Sequence, residues 1–383
     1  MSQMTNFSPQ ASLASGRMED ADSSKPLANS AIDRTTASGR AECPERCYPT
    51  KRKICAVIVT YRPEYDGQPY ELQRNRRWER QASVVQLDNG RPGRHADLDF
   101  GRCFRITAAQ VDKLLIIDNG SEPRVVNLLL ELRDELKAHL VLNHKNMGIA
   151  SALNRGVEWA IAEGAEWVLT LDQDSVPAPD MVPTLISAYE RFPERSKVAV
   201  IGSNYHKLFG ELATVPTPES ETVGWQEMTT VISSGSLISA DRYSVIGPFR
   251  DDFFMDCVDL EYCLRARSKG FRIMMTTKSL MTQRIGDPSE HRFLSRRVVC
   301  ANYSPERRFY MSRNHFIVAR DYLFQEPRWV LCTLWKRFKT LVGICLIERD
   351  RIAKLRAAWR GTIAGAFSRT QDHSIQKGRP ESE

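Results

Sequence analysis

Residues 165 to 175 read Ala-Glu-Trp-Val-Leu-Thr-Leu-Asp-Gln-Asp-Ser, and this stretch decides the fold. The apolar run from Trp167 to Leu171 is typical of a parallel strand that is buried on both faces. Asp172 and Asp174 follow at spacing i and i+2, so in extended chain their carboxylates point to the same side and are suited to hold one divalent ion. Ligands gather beyond the carboxyl ends of such strands, although an aspartate after a strand is also ordinary turn chemistry.

The segments around this stretch alternate between strand and helix patterns. Residues 53–60 and 113–118 are β-branched runs that predict two more buried parallel strands. Residues 128–140 repeat apolar side chains at helical spacing, residues 141–142 predict a short strand, and residues 143–160 begin another helix. This alternation predicts an α/β fold with a doubly wound, mostly parallel sheet and flanking helices.

Small and polar residues fall at every second position where that second helix begins. Glycine and alanine allow a helix start to lie close to a ligand or to a neighbouring strand. Helix packing alone accounts for these small residues but not for the two asparagines. The positions are Asn146, Gly148, Ala150, Ala152, Asn154 and Gly156.

Five blocks of the chain, in order, resemble one family: the inverting family 2 glycosyltransferases, which use nucleotide sugars and have a GT-A (Rossmann-like) fold. Within that family, the form Leu171-Asp-Gln-Asp-Ser175 resembles the bacterial rhamnosyltransferases that use dTDP-rhamnose. The other blocks are Ala56-Val-Ile-Val-Thr-Tyr-Arg-Pro63, Leu115-Ile-Ile-Asp-Asn-Gly-Ser121, Asn146-Met-Gly-Ile-Ala-Ser-Ala-Leu-Asn-Arg-Gly156 and Phe253-Phe-Met-Asp-Cys-Val-Asp-Leu-Glu-Tyr-Cys-Leu-Arg265.

The resemblance implies which residues bind the donor. The end of the first strand would lie beside the nucleotide, and the aspartate that closes the second strand would accept the pyrimidine ring N–H, as a carboxylate is suited to do. The implied donor-binding residues are Thr60, Tyr61, Asp118, Asn146, Gly148, Asn154 and Asp172. The segment Ser233-Ser-Gly-Ser236 is expected to form a loop against donor or acceptor, or else a plain strand turn.

The resemblance also implies a metal site. Asp172 and Asp174 would coordinate Mg²⁺ or Mn²⁺ across the diphosphate, since hard oxygen ligands suit a hard cation. The family usually carries a histidine as third ligand two residues before an Ile-Gly pair, and here that position is Gln283. An amide oxygen ligates more weakly, so metal affinity and activity are open. His291 is a possible substitute ligand.

An inverting transfer needs a general base, and the acidic residues Asp251, Asp252, Asp256, Asp259 and Glu261 are candidates. If residues 256–267 are helical, Asp252, Asp256 and Asp259 share a face, and the neighbouring charges would raise one pKa. Acids at a helix start are also common without any catalytic part. Similarity at Cys263-Leu-Arg265 places Asp259 at the base position of the family.

The chain is expected to divide into four parts. Residues 1–50 are predicted to be a disordered tail, and residues 51–320 a catalytic domain with a nucleotide half (51–175) and an acceptor half (176–320). Residues 321–370 are predicted to be a basic amphipathic helical extension, followed by a disordered tail at 371–383. Within the domain, the arginine-rich residues 64–110 lack apolar periodicity and are predicted to be irregular.

The charge distribution suggests a membrane surface as a partner. The 383 residues carry a net charge of +7, and Glu348 and Asp350 are the only acids from Arg328 to Arg369. That stretch is rich in tryptophan and leucine, but Lys336 and neighbouring basic residues interrupt it, so it is not expected to span a membrane. It is either a basic amphipathic element on an anionic membrane, as suits a lipid-linked acceptor, or a helix packed on the domain.

The remaining features narrow the location and the class of protein. No apolar stretch opens the first forty residues, which predicts a cytoplasmic active site. The nine scattered cysteines indicate reduced thiols, and Cys43 and Cys47 lack the second half of a zinc site. No nucleic-acid-binding module is recognisable, so no nucleic acid partner is expected. The alternative function is that of a catalytically impaired homologue acting as a scaffold in polysaccharide assembly.

Overall fold

The computed structural model describes residues 52–61, 100–207, 224–283, 289–293, 296–300 and 302–368. The predicted tails at 1–50 and 371–383 lie outside these residues, as does most of the arginine-rich segment and the side chain of His291.

Within the described ranges the strands form one nine-stranded sheet and a separate hairpin. The order in the sheet is β3-β2-β1-β4-β8-β6-β9-β5, and β7 pairs with β9 beside this path. The strands are β1 (Ile54–Thr60), β2 (Lys113–Asp118), β3 (His139–Leu142), β4 (Trp167–Asp172), β5 (Ser175–Pro177), β6 (Val198–Lys207), β7 (Trp225–Met228), β8 (Ser236–Ser239), β9 (Arg272–Gln283), and the hairpin strands β10 (Ser289–Phe293) and β11 (Arg296–Cys300).

Helices connect these strands and continue after the hairpin. Short 3₁₀ turns lie at Arg195–Lys197 and Asp251–Phe253. The helices are α1 (Phe100–Ala108), α2 (Pro123–Leu136), α3 (Ile149–Ala162), α4 (Met181–Glu190), α5 (Ala240–Ile246), α6 (Val258–Ser268), α7 (Pro305–Tyr322), α8 (Pro327–Leu346) and α9 (Arg351–Ala366).

The sheet has hydrophobic cores on both faces, which confirms the doubly wound α/β prediction. Strands β3, β2, β1 and β4 are parallel, β8 is antiparallel to both of its neighbours, and β6 is parallel to β9. Because side chains alternate along a strand, β1 sends Cys55, Val57 and Val59 into one core and Ile54, Ala56 and Ile58 into the other. Such a strand carries an unbroken apolar run, as the sequence indicated.

Several predicted element boundaries are wrong. Helix α1 lies inside the segment predicted to be irregular, where Cys103 and Phe104 are buried. Helix α3 starts at Ile149 rather than at residue 143, because Gly148 before it has φ +84°. Helix α2 begins at Pro123, whose ring suits a first turn, and stops before Lys137, which adopts a left-handed conformation with φ 51°.

Helices α7 and α9 pack backbone against backbone. A Cβ atom on Gly361 would lie 2.2 Å from the carbonyl oxygen of Phe309, and one on Gly365 would lie 2.6 Å from that of Arg313. Only glycine permits such an approach. Glu348, between α8 and α9, forms a buried ion cluster with helices α7 and α9. Its Oε1 atom lies 2.6 Å from Nη2 of Arg308 on α7, and its Oε2 atom lies 2.9 Å from Nζ of Lys354 on α9.

Candidate active site

Three strands bring their carboxyl ends together at one edge of the sheet. Strand β1 lies between β2 and β4, and the register places Thr60 opposite Asp118 and Val59 opposite Asp172. Thr60, Asp118 and Asp172, predicted from separate segments of sequence, are therefore neighbours. This edge is where ligands bind in open α/β sheets.

Asp118 is buried and holds the turn that follows its strand. The hydroxyl of Thr60 donates to Oδ1 of Asp118 over 3.0 Å, and the N–H groups of Gly120 and Ser121 donate to Oδ2 over 3.1 and 2.9 Å. Only 1% of the residue is exposed. The carboxylate thus fixes the shape of this edge, and its predicted contact with a pyrimidine ring stays a prediction.

Gln173, between the two predicted metal ligands, ties their strand to the end of β1. Its amide oxygen accepts a hydrogen bond from the N–H of Tyr61 over 3.0 Å, and its amide nitrogen donates to the carbonyl of Tyr61 over 3.1 Å. Gln173 and Asp174 form the turn between β4 and β5, so the predicted extended-strand spacing of Asp172 and Asp174 does not apply here. The sequence analysis assigned no part to Gln173.

A second amide network positions the loop before α3. Asn119 donates to Oδ1 of Asn146 over 2.9 Å and to the carbonyl of Gly148 over 3.1 Å, and it accepts from the N–H of Met147 over 3.0 Å. The predicted residues Asn146 and Gly148 are thereby fixed beside the end of β2. Asn119 was quoted in a matching block but was not predicted as a site residue.

Gly148 also contacts the acidic segment, residues 251–261. A Cβ atom at this position would lie 2.7 Å from the carbonyl oxygen of Phe254, and the same carbonyl accepts a hydrogen bond from the N–H of Ile149 over 2.7 Å. The small residue is needed for a close approach, as predicted, but here the partner is protein backbone. Gly156 makes a similar approach to Val57 of β1, at 2.4 Å from its Cγ1 atom.

Asn154 does not face the predicted donor site with any unused hydrogen-bonding group. Its amide nitrogen donates to the carbonyl of Phe249 and to Oδ1 of Asp251, each over 2.8 Å. Its amide oxygen accepts from the N–H of Phe249 over 2.7 Å and from the hydroxyl of Tyr243 over 2.9 Å. An amide offers two donors and two acceptor positions, and all four are used. In this structure Asn154 holds residues 249–251 through these bonds, and its predicted donor contact stays a prediction.

The loop Ser233-Ser-Gly-Ser236 connects the metal-ligand strand to the predicted base. The N–H of Asp172 donates to the hydroxyl of Ser234 over 3.0 Å, and the N–H of Ser233 donates to Oδ2 of Asp259 over 3.2 Å. The hydroxyls of Ser175 and Ser234 lie 2.7 Å apart. Through this loop, residues far apart in sequence meet at one site.

Asp172 lies in a crowded acidic environment. Burial, together with the charges of Asp174 and Asp259, raises the pKa of the Asp172 carboxyl to about 7, while Arg307 and a hydrogen bond from Gln283 act in the opposite direction. Like charges held close together raise the proton affinity of one of them. A cation between the carboxylates would relieve the same repulsion.

Gln283, the third predicted metal ligand, contacts Asp172. Its amide nitrogen donates to Oδ2 of Asp172 over 3.2 Å, and its amide oxygen is buried without a hydrogen-bond partner within the described ranges. In those ranges no three His, Cys, Asp or Glu side chains cluster as a metal site, so the predicted set depends on this amide. Two carboxylates and an amide oxygen are ligands that Mg²⁺ and Mn²⁺ accept.

Asp259, the predicted base, lies in the first turn of α6. Its Oδ1 accepts from the N–H of Leu260 over 2.8 Å and its Oδ2 from Ser233. Burial raises the pKa of the Asp259 carboxyl to about 6; these hydrogen bonds lower it, and the charge of Asp256 adds to the rise. A carboxylate of this kind is suited to accept a proton near neutral pH.

The predicted helical face of Asp252, Asp256 and Asp259 is wrong. Helix α6 starts at Val258, and Phe254, Asp256 and Cys257 before it have φ values of +56°, +60° and +63°. Non-glycine residues rarely adopt this left-handed region, and such strain concentrates at functional sites. The charge of Asp256 still reaches Asp259, but through a folded turn rather than along a helix.

The other acids of this stretch have protein partners. Asp252 pairs with Arg250 over 2.8 Å, and Glu261 pairs inside its own helix with Arg265 over 3.0 Å and accepts from the hydroxyl of Tyr322 over 2.9 Å. Glu261 is fully buried. Asp259, by contrast, accepts a hydrogen bond from the Ser233–Ser236 loop.

Asn314 of α7 holds the strained turn, and the sequence analysis missed it. The amide nitrogen of this buried residue donates to the carbonyls of Phe253, Met255 and Asp256 over 2.8, 2.7 and 2.9 Å. The signal in the sequence was faint, because Asn314 lies among basic and aromatic residues of a helix without clear amphipathic character.

Comparisons with known proteins agree with this geometry. The model of the family described as Glycosyl transferase family 2 matches residues 99–279. The protein described as dTDP-rhamnosyl transferase RfbF, from Shigella flexneri, is 28% identical over 222 residues, which cover 54% of this chain and 70% of that protein.

Solved structures with a similar chain path were also found, at low identity. The S. aureus TarS fragment 1–349 in complex with UDP-GlcNAc is 13% identical with a TM-score of 0.48, covering 80% of this chain and 79% of that one. Longer TarS gives a TM-score of 0.42 at 12% identity; 83% of this chain is covered, and it spans 44% of the TarS chain. GalNAc-T7 with UDP, GalNAc and Mn²⁺ gives 0.42 at 11% identity, with coverages of 68% and 47%.

The family match runs from β2 into β9 and includes the aspartates at the end of β4 and the helix that carries Asp259. The structure shows the sheet order, a hydrophobic core on each face of the sheet, and carboxylates at the strand ends. Residues 99–279 therefore form a glycosyl transferase family 2 domain with a GT-A fold, and this domain makes the chain a glycosyltransferase.

Proposed function

We propose that this chain transfers L-rhamnose from dTDP-rhamnose, with inversion, to a hydroxyl group of a lipid-linked or polysaccharide acceptor. The observation that carries the proposal is the link between Asp172 and Asp259 through the loop that contains Ser233 and Ser234. The loop connects the carboxylate of Asp172, which is suited to bind a metal, with the buried carboxylate of Asp259, whose pKa is raised. Similarity to a protein described as a dTDP-rhamnosyl transferase supports the choice of sugar and nucleotide.

Asp172, Asp174 and Gln283 would hold Mg²⁺ or Mn²⁺. When bound, such an ion neutralises charge that develops on the departing nucleoside diphosphate. The protein prepares the site by crowding carboxylates and by leaving the amide oxygen of Gln283 buried and, among the described residues, without a partner.

The nucleotide would lie across the strand ends. Thr60 and Tyr61 close β1, Asp118 closes β2, and the loop with Asn146 and Gly148 borders the same edge. Tyr61 is 39% exposed at the end of β1. Asp118 would accept the ring N–H of the pyrimidine in addition to its protein hydrogen bonds.

Asp259 would serve as general base. The acceptor hydroxyl oxygen forms a bond to the anomeric carbon, while the bond from that carbon to the diphosphate oxygen breaks and its electron pair leaves with the diphosphate. The carboxylate of Asp259 takes the hydroxyl proton. Attack from the side opposite the leaving group inverts the anomeric configuration.

The C-terminal helices support the proposal that the reaction takes place at a membrane surface. Helix α8 turns Val330, Arg337 and Ile344 toward the protein, where Arg337 contacts His315 over 2.9 Å, and it exposes an apolar stripe. The stripe consists of Leu331, Leu334, Trp335, Phe338, Leu341, Val342 and Leu346.

The charges beside that stripe favour anionic lipid as its partner. Lys336 and Lys339 are exposed on α8, and Arg356 and Arg360 are exposed on α9 near the exposed Trp359. Of the two acids in the region, Glu348 is buried in its ion cluster. Apolar side chains with interspersed basic residues are typical of interfacial helices. No helix in the described ranges has the length and apolar character to cross a bilayer.

The test of the proposed function is a panel of donors. The purified chain is incubated with Mn²⁺ and dTDP-rhamnose, dTDP-glucose, UDP-glucose or UDP-GlcNAc, and release of free sugar is measured alongside dTDP affinity by calorimetry. We expect dTDP-rhamnose to be hydrolysed fastest and dTDP binding to require the metal. Absence of metal-dependent nucleotide binding would refute the proposal and favour a non-catalytic scaffold.

A further inference from the structure

Arg307 places a cation at the edge of the carboxylate cluster. It lies in the first turn of α7, where its N–H donates to the hydroxyl of Ser304 over 3.2 Å. Its guanidinium Nε and Nη2 atoms donate to the two carboxylate oxygens of Asp256 over 3.1 and 3.4 Å. The carbon of the guanidinium lies 4.3 Å from the ring centre of Tyr303, which fixes its plane.

The charge of Arg307 acts on the predicted metal ligand as well as on its partner. Arg307 lowers the pKa of Asp172 against the larger effects of burial and neighbouring acids, and Asp172 in turn helps to raise the pKa of Arg307. The guanidinium therefore lies close enough to both Asp256 and Asp172 to feel the two charges. It pairs with Asp256 in the turn that leads to Asp259, and the carboxylate of Asp259 is hydrogen-bonded to the Ser233–Ser236 loop that also contacts Asp172.

The guanidinium is not committed to Asp256. The side chain of Arg307 is 45% exposed, whereas that of Asp256 is 14% exposed, so the pair opens to solvent on the arginine side. Within the described residues the Nη1 atom has no hydrogen-bond partner, and an exposed ion pair of this kind is weak. Arginine binds phosphate through two parallel hydrogen bonds, and such charge-assisted bonds are stronger than neutral ones.

We propose that Arg307 binds the phosphate adjacent to the sugar in the donor, and that it exchanges Asp256 for phosphate oxygens when donor enters. This inference rests on the proposed function, because it requires a nucleoside diphosphate at the edge of Asp172. The sugar-proximal phosphate is the one concerned, because Arg307 lies beside the turn that carries the base and the base must face the reacting carbon.

The test compares two substitutions at the two ends of one ion pair. Affinities for dTDP and dTMP are measured by calorimetry, with Mn²⁺ present, for the unsubstituted chain, Arg307→Ala, Arg307→Lys and Asp256→Asn. We expect Arg307→Ala to weaken dTDP binding by about tenfold or more while dTMP changes by less than about twofold. Arg307→Lys keeps the positive charge but cannot form two parallel hydrogen bonds to a phosphate. Its affinity for dTDP should therefore lie between those of the unsubstituted chain and Arg307→Ala.

Asp256→Asn supplies the discriminating result. It removes the competitor for the guanidinium, so it should bind dTDP at least as tightly as the unsubstituted chain. If the pair were only structural, removing either partner would weaken dTDP binding to a similar extent, and that outcome would overturn the proposal. Equal weakening of dTDP and dTMP in Arg307→Ala would overturn it as well. Thermal unfolding of each variant shows whether it is folded.

These outcomes separate the inference from the function on which it rests. An unsubstituted chain that binds neither dTDP nor UDP refutes the proposed function and this inference with it. A chain that prefers UDP corrects the donor alone, and the same comparison is then made with UDP and UMP. Nucleotide binding that responds equally to both ends of the ion pair refutes the part of Arg307 alone.

Discussion

The amide nitrogen of Gln283 lies 3.2 Å from Oδ2 of Asp172, while the amide oxygen of the same side chain is buried without a partner in the described part of the protein. The antiparallel pairing of β5 with β9 produces this contact, because it sets Gln283 opposite Ser175, just beyond Asp174. One side chain thus donates to a carboxylate and keeps an unsatisfied acceptor, which the proposed cation would satisfy.

Substitution of Gln283 is therefore expected to change the response to metal. Gln283→Ala should raise the Mn²⁺ concentration for half-maximal dTDP binding by about tenfold or more, while Gln283→His should restore it, since imidazole also ligates such ions. Calorimetric titration of Mn²⁺ in the presence of dTDP measures the effect. Gln226→Ala, at an exposed position on β7, is the matched control. An unchanged response in Gln283→Ala would contradict the metal site.

Asp259→Asn should lower transfer or donor hydrolysis by about a hundredfold or more and leave dTDP affinity unchanged. The base must be ionised to accept a proton, and the pKa of Asp259 is raised to about 6. In the unsubstituted enzyme, kcat should therefore fall as the pH drops below about 6 and level off above it. Asp241→Asn, at an exposed carboxylate in the first turn of α5, should keep the full profile. A low-pH limb that persists in Asp259→Asn would show that another group titrates.

Asn314→Ala should lower kcat through the strained turn. The substitution removes the donors to three backbone carbonyls and should cost about 1–3 kcal/mol in the free energy of unfolding. Asn314→Asp keeps the shape but offers no N–H donor, so it should be at least as harmful. Urea unfolding and steady-state kinetics measure both effects. If stability fell but kcat did not, Asn314 would support the fold without positioning the base.

Replacing Trp335 and Phe338 together by Glu should release the protein from anionic lipid. Burial of one large apolar side chain is worth roughly 1.5–3 kcal/mol, so the double variant should lose at least about tenfold in partitioning. Sedimentation with phosphatidylglycerol-containing vesicles, repeated with phosphatidylcholine alone and at high salt, measures binding. Val245→Glu, exposed on α5, is the control. Equal sedimentation of all variants would argue against the α8 stripe as the contact.

Glu348→Gln should destabilise the C-terminal helices strongly. It leaves the buried charges of Arg308 and Lys354 without their counter-ion, which typically costs about 3–5 kcal/mol. Glu166→Gln breaks an exposed pair with Arg52 and should cost less than about 1 kcal/mol. Comparison of the two in urea unfolding tests whether the cluster contributes to stability; similar small effects would contradict this expectation.

The parallel half of the sheet could be predicted because its strands are buried on both faces and carry unbroken apolar runs. The aspartates after such a strand were predictable for the same reason, since the end of β4 is marked by the change from Leu171 to Asp172. Where a strand is half-covered or pairs in mixed directions, as at β7 with its exposed side chains, the pattern carries little signal.

The failures have a common physical origin in long-range contacts. Acidic residues continue at helical spacing through Asp256, but the carbonyls there are held by Asn314, which lies 58 residues further along the chain. The left-handed turn depends on that contact, so local pattern could not reveal it. The local pattern also carries no signal for the contacts of Asn154, because its partners Phe249 and Asp251 lie 95 and 97 positions away.

The glycines of α9 have a mechanical consequence for the orientation of the enzyme. Because Gly361 and Gly365 allow no added methyl group against α7, the two helices are closely packed, and α7 carries Arg307, which pairs with Asp256, and Asn314, which holds the turn before the predicted base. A membrane surface that binds the side of α9 with Trp359 would therefore set the direction of the substrate entrance. Helix packing, and not a flexible linker, would then fix how the substrate entrance is oriented relative to the membrane.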